Sequence, residues 1–114
     1  MTLVADPFDG GLAVRFEGAR IDAAGAIDFK DGMKALTGSE SGRVVLDLGQ
    51  VGFIDSSGLG AIVAVMKQLG PGRRLELAGL TPAVAKVFRL TRMDDVFRIH
   101  DSVAAACSDA AQMP

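Results

Sequence analysis

Several residue types on which particular folds and chemistries depend are scarce in this sequence. There is one cysteine, Cys107, so an intrachain disulfide and a metal site made of several cysteines are excluded. Tryptophan and tyrosine are absent, so aliphatic side chains must form most of the core. The single histidine, His100, is expected to end a strand at the surface. No Gly-X-Ser-X-Gly sequence accompanies it, so a serine-hydrolase triad is not expected.

Charge of one sign and long apolar runs are also lacking. The formal net charge is −2, and no cluster of Lys and Arg forms the basic face that nucleic-acid binding requires. The longest apolar run, near Ala61–Met66, is too short to span a bilayer. The first residues lack the basic and apolar segments of a signal peptide. We therefore expect a cytoplasmic protein that binds neither nucleic acid nor a membrane.

The apolar residues that are present predict one layered α/β domain over residues 1–114. They make up 49% of the 114 residues, which is enough for a single core. Apolar residues that recur every second position predict strands, and apolar residues that recur every three to four positions predict helices. The predicted order is strands at Leu3–Ala5 and Leu12–Phe16, a helix at Ala26–Leu36, a strand at Arg43–Leu48, a helix at Ser57–Leu69, a strand at Leu75–Leu77, a helix after Pro82, a strand at Val96–Ile99 and a helix at Val103–Cys107. Alternation of strands and helices predicts a largely parallel sheet, with an antiparallel edge from the first hairpin.

Polar residues and glycines predict where several of these helices begin and end. Asp22, Thr81 and Asp101 each precede a helical pattern and are of the residue types that cap helix N-termini. Gly38 and Gly70 follow helical patterns and are expected to end them.

The most informative segment is Asp55-Ser56-Ser57-Gly58, between a buried strand and the helix at Ser57–Leu69. Polar side chains at this point can accept the unpaired backbone N–H groups of the first helical turn. A helix N-terminus also favours a phosphate, so a serine there can be modified without melting the helix. The residues alone leave both readings open: ordinary helix capping, or a site of phosphorylation.

The segment resembles the signature of the STAS family, the domains of anti-sigma-factor antagonists. The similarity lies in Leu46-Asp47-Leu48, in Phe53-Ile54-Asp55-Ser56-Ser57-Gly58-Leu59-Gly60, and in the segments Leu75–Pro82 and Val87–Thr91. It is strong from Arg43 to Ile99 and looser before that. The resemblance implies a four-to-five-stranded mixed, largely parallel sheet with about four helices packed mainly on one face.

The resemblance also implies the site residues. The family's phosphoacceptor is the first serine after the aspartate, which is Ser56 here, and Ser57 would be a neighbour that caps or forms hydrogen bonds. A Gly-X-Leu-Asp turn near the phosphoacceptor contributes to the family's partner surface. Its counterpart, Gly18–Asp22, is one residue longer, and Asp22 is either part of that surface or only a helix cap. The implied partner-binding residues are Asp22, Asp55, Ser56, Ser57, Gly58 and Leu59.

A non-enzymatic switch is the function that the resemblance implies. The unphosphorylated protein would bind an anti-sigma factor that is also a serine kinase of the histidine-kinase-type ATPase fold, and so release a sigma factor. Phosphorylation of Ser56 would end that binding and a serine phosphatase would restore it. No cofactor or metal is implied, and a monomer is the expected state. The alternatives are an unphosphorylated accessory subunit of a lipid-transport ABC complex, a scaffold in stress signalling and, ranked last, an enzyme with Ser56 as nucleophile.

Overall fold

The computed structural model describes residues 1–38 and 42–112, and within them strands and helices alternate as the sequence predicts. The strands are β1 (Thr2–Phe8), β2 (Gly11–Glu17), β3 (Arg20–Ile21), β4 (Arg43–Asp47), β5 (Phe53–Ile54), β6 (Leu75–Ala78) and β7 (Ile99–His100). The helices are α1 (Ala26–Thr37), α2 (Ser56–Leu69), α3 (Pro82–Leu90) and α4 (Val103–Gln112), with a 3₁₀ turn at Met93–Asp95.

The main sheet has five strands in the order β1-β2-β4-β6-β7. β1 and β2 form the predicted antiparallel hairpin, and the other neighbours in the sheet run parallel. β3 and β5 form a separate two-stranded parallel pair, which the sequence did not predict. Each of these strands has only two residues, too few to show a period of two. The predicted fold class, a mixed and largely parallel sheet with about four helices, is confirmed.

Helices cover the two faces of the main sheet unequally. α1, α2 and α3 share one large buried cluster with alternate residues of the strands, such as Val44 and Leu46. The intervening residue Val45 points to the other face, where a small cluster contains Ala78 of β6 and Ala106 of α4. Three helices thus form the main core, and among the described residues α4 is the helix that packs on the opposite face. None of the helices in the described ranges is both long and apolar enough to cross a membrane.

Two predicted N-caps are wrong. α1 begins after Gly25, and Asp22 lies three residues before that cap. Its Oδ1 instead accepts the Gly25 N–H at 3.3 Å and so closes the turn that precedes the helix. At α4, the Oγ of Ser102, and not the carboxylate of Asp101, accepts the backbone N–H of Ala105 at 3.0 Å. At α4 two adjacent polar residues compete for the same orphan N–H group, whereas the cap of α1 is a glycine that makes no side-chain capping bond.

The last strand also differs from its predicted position. The segment predicted as a strand from Val96 begins instead with the C-cap residue of the 3₁₀ turn, and β7 has only Ile99 and His100. The prediction that His100 lies at the surface is wrong, because its side chain is buried against Glu76, with 2.6 Å between Nε2 and Oε1. Thr81 is the N-cap residue of α3 as predicted, but its Oγ donates to the Val51 carbonyl at 2.7 Å and makes no capping hydrogen bond.

Candidate functional site

The first turn of α2 is capped by Asp55. Its backbone is extended and its Oδ1 accepts the N–H of Gly58 at 2.8 Å. The other carboxylate oxygen, Oδ2, accepts the N–H of Ala23 at 3.2 Å. One side chain therefore both caps α2 and holds the turn after β3 against it.

Gly58 is needed because β3 passes very close to this first turn. Ile21 pairs with Ile54 in the small parallel ladder, and its carbonyl oxygen accepts the N–H of Asp55 at 3.3 Å. A Cβ built on Gly58 would overlap that same Ile21 carbonyl. Gly58 is accordingly buried and lets the backbones of β3 and α2 meet without a side chain between them.

Ser56 and Ser57 are the first two residues of α2, and both are exposed. Within the described ranges, no side-chain hydrogen bond is found for either serine. The predicted capping role of Ser57 is therefore wrong, since Asp55 fills it. Leu59, the next residue but one, is only partly buried and packs against the main core. The two hydroxyl groups thus stand free at the positive end of a helix.

Asp22 lies beside this turn, one residue before Ala23. It is partly buried, and its Oδ2 is 3.2 Å from Nε of Arg20. The Arg20 guanidinium in turn lies over the ring of Phe53, with 4.8 Å between its Cζ and the ring centroid. The structure therefore brings the two predicted groups of site residues together, one from the turn after β3 and the other from the start of α2.

Comparison with known proteins gives this arrangement a family. The sequence-family model of the STAS domain matches residues 4–106 of this chain. The chain belongs to the STAS domain family. It is 33% identical over 109 residues to a Bordetella bronchiseptica protein named as an anti-sigma factor antagonist, BtrV, covering 95% of this chain and 93% of the relative.

Solved STAS structures share the whole architecture. An anti-sigma factor antagonist from Mycobacterium paratuberculosis superposes with a TM-score of 0.84 and 25% identity, over 97% of this chain and 94% of that one. SpoIIAA in its unphosphorylated form gives 0.76 at 18% identity, over 99% of each chain. SpoIIAA from Bacillus in its phosphorylated form gives 0.67 at 18% identity, over 96% of this chain and 99% of that one. The SpoIIAA matches show a shared fold.

Two residues next to the expected site residues were not singled out from the sequence. Arg20 and Phe53 face each other in register across the β3–β5 pair, and Phe53 is 46% exposed. Phe53 and Ile54 are two consecutive apolar residues, and so short a strand does not show in the sequence which of the two side chains is exposed. The pairing with Arg20 depends on a contact between residues 33 positions apart, which local patterns do not reveal.

The site contains no constellation for metal-dependent chemistry in the part of the chain described. Among residues 1–38 and 42–112, no group of three or more His, Cys, Asp or Glu side chains is placed to hold a metal ion. The two carboxylates of this site, those of Asp22 and Asp55, both already accept backbone N–H groups. The arrangement is suited to presenting a hydroxyl group to another protein.

Proposed function

We propose that this STAS domain is an anti-sigma-factor antagonist, a cytoplasmic binding protein and not an enzyme. In its unphosphorylated form it binds an anti-sigma factor that is also a serine kinase of the histidine-kinase-type ATPase fold. That binding frees a sigma factor. Phosphorylation of Ser56 reverses it, and a serine phosphatase resets the cycle. The 33% identity to a relative that carries the name anti-sigma factor antagonist supports this assignment.

The observation that carries the proposal is that the Ser56 side chain is exposed and does not cap the helix. Its side chain is exposed at the first residue of α2, and the helix is capped by the residue before it. A kinase can therefore reach the hydroxyl group without breaking an interaction that holds the fold. The N-terminal end of α2 has a partial positive charge, which favours the phosphate after transfer.

Phosphorylation would change the surface charge where a partner binds. A phosphoserine adds about −1.5 to −2 charges near neutral pH. The Asp55 carboxylate is the adjacent residue, and Asp22 lies in the neighbouring turn. Burying the combined negative charge against a partner without a matching cation is unfavourable. A penalty of about 2.7 kcal/mol weakens binding roughly a hundredfold, which is enough for a switch.

We further propose two kinds of partner-binding residue in this surface. Asp22, Ser56 and Ser57 would contact the partner with their own side chains. Asp55, Gly58 and Leu59 would act by holding the first turn of α2 in its position. Asp55 binds backbone groups on both sides of the turn, Gly58 packs against β3, and Leu59 anchors the helix to the core.

Intact-mass analysis of the protein purified from its native host tests the proposal. The wild type should contain a fraction heavier by one phosphate, and Ser56→Ala should lack it. Ser57→Ala is the matched control, because Ser57 is equally exposed on the same turn and should leave the adduct in place. An adduct that survives Ser56→Ala and disappears in Ser57→Ala would move the acceptor to Ser57. A wild type without any adduct, in every growth condition tried, would contradict the phosphorylation cycle.

A further inference from the structure

The two glycines in the first turns of α2 differ in what the fold requires of them. A Cβ on Gly58 would overlap the Ile21 carbonyl, so the packing of β3 explains that residue. Apart from its chain neighbours and the adjacent backbone of its own helix, a Cβ on Gly60 would have no heavy atom within 4 Å. Gly60 lies inside the helix, where glycine is less favourable than alanine, and it is exposed. Nothing in the fold therefore explains the missing side chain at position 60.

The position of Gly60 suggests an explanation outside the fold. It follows Ser56 by four residues, so the two residues are neighbours on one face of α2, with about 5–6 Å between their Cβ positions. A phosphoryl donor must come within about 3–3.5 Å of the Ser56 hydroxyl for transfer. A kinase surface that covers this face of α2 around Ser56 would also lie over Gly60.

We propose that Gly60 is a direct contact for the ATP-dependent serine kinase that phosphorylates Ser56. The kinase surface around its active site packs against the bare helix backbone at Gly60, and a side chain there would hold it away from Ser56. This inference rests on the proposed function and adds to it a residue that determines how closely the partner can approach. It also predicts that fold stability and kinase recognition respond in opposite directions to substitution at one position.

The test is a steric series at position 60. Gly60→Ala and Gly60→Leu are incubated with ATP carrying a labelled γ-phosphate and an extract of the native host, and label at Ser56 is followed by mass spectrometry. The initial rate should fall in Gly60→Ala and by at least tenfold in Gly60→Leu. The Tm of Gly60→Ala should equal or exceed that of the wild type, because alanine is the better helix former. Gln68→Leu is the matched control, since Gln68 is exposed on α2 about 12 Å beyond Gly60 along the helix axis, and its rate should stay within twofold.

The outcomes of this series distinguish a failure of the Gly60 contact from a failure of the phosphorylation cycle. Gly60→Leu phosphorylated at the wild-type rate would overturn the contact while leaving the cycle intact. A Tm of Gly60→Ala several degrees below that of the wild type would show that the fold itself needs this glycine, which also overturns the inference. An equal loss of the initial labelling rate in Gly60→Leu and Gln68→Leu would also overturn the contact at Gly60. A wild type that takes up no label at Ser56 would overturn the proposed function, and the kinase contact with it.

Discussion

At the start of α2, residue types predicted that capping takes place but not which residue does it. Three consecutive polar residues, Asp55, Ser56 and Ser57, precede or open the helix, and each type is a good N-cap. The structure assigns the cap to Asp55 because its backbone is extended while the two serines are already helical. That distinction depends on where β5 ends and on the Ile21 carbonyl that binds the Asp55 N–H. Both depend on the pairing of β5 with β3, which are more than 30 residues apart in the sequence, so local sequence does not encode them.

Gly58 gives the first residue-scale prediction of stability. Gly58→Ala forces a methyl group onto the Ile21 carbonyl, and a backbone atom cannot move aside by changing rotamer. We expect the substitution to lower the free energy of unfolding by about 1–3 kcal/mol. Urea unfolding followed by far-UV circular dichroism measures it. Gly60→Ala, two residues on, is the control and should have no such effect, since it enters open space. Equal destabilisation by both would contradict the close packing of β3 on α2.

At the scale of elements, a buried charged cluster joins strands of the main sheet to α4. Glu76 of β6 is 1% exposed. It accepts two hydrogen bonds from Arg43 of β4, Nε to Oε2 at 2.7 Å and Nη2 to Oε1 at 2.5 Å. The same Arg43 Nη2 donates to the Ala106 carbonyl of α4 at 3.1 Å. Nε2 of His100, in β7, is 2.6 Å from Oε1 of Glu76. The cluster therefore connects three neighbouring parallel strands, β4, β6 and β7, on the α4 side of the sheet.

The sequence did not predict this cluster. Glu76 lies between Leu75 and Leu77, and such alternation is typical of a strand with one polar, solvated face. It is buried because α4 folds over that face, and its charge is compensated by Arg43, 33 residues earlier. A pairing of that separation has no local signature. The same reasoning explains why His100 was expected at the surface.

Glu76 predicts how stability depends on pH. Burial raises the pKa of this carboxyl, but the hydrogen bonds from Arg43 and His100 and the charges of Arg43 and Arg74 outweigh it and lower the pKa from 4.5 to about 2. Because the folded pKa lies below the unfolded one, the stabilisation is complete above about pH 5 and is lost as the pH falls towards 2. The whole shift corresponds to about 3 kcal/mol.

Glu76→Gln tests that dependence. At pH 6 the variant should be less stable by about 3–5 kcal/mol, because Arg43 loses a buried carboxylate partner. At pH 3 the difference from the wild type should shrink by about 2 kcal/mol, since the wild type has lost most of the same stabilisation. Urea unfolding at the two pH values measures both differences. Glu17→Gln, on an exposed glutamate side chain of β2, is the control and should stay within about 0.5 kcal/mol of the wild type. If the difference in free energy of unfolding between Glu76→Gln and the wild type were the same at pH 3 and pH 6, the lowered pKa of Glu76 would be contradicted.

At the scale of the whole molecule, the sequence predicted what long periodic segments specify. The hairpin of β1 and β2, the buried strand β4 and the amphipathic helix α2 each extend over five or more residues, and all were predicted. The bounds of β2, β4 and α2 differ by at most one residue at each end, whereas β1 is longer than predicted by one residue at its start and three at its end. The short β3–β5 pair was missed, although it is what places the Asp22 turn beside Ser56. The proposed site thus depends on the part of the fold with the weakest sequence signal, and only the family resemblance indicated it beforehand.

The unequal covering of the sheet predicts where the molecule opens first. α1, α2 and α3 share one large core, whereas α4 packs through Val103 and Ala106 against a small cluster and is bonded to Arg43. Local opening requires less free energy where fewer apolar groups are buried. In native-state hydrogen exchange, we expect the amides of α4 to exchange at least tenfold faster than those in the middle of α2. In Glu76→Gln, exchange in α4 should accelerate more than in α2, because Glu76 orients the arginine that binds the Ala106 carbonyl. Protection of α4 equal to that of α2 would show that the two faces of the sheet open together as one cooperative unit.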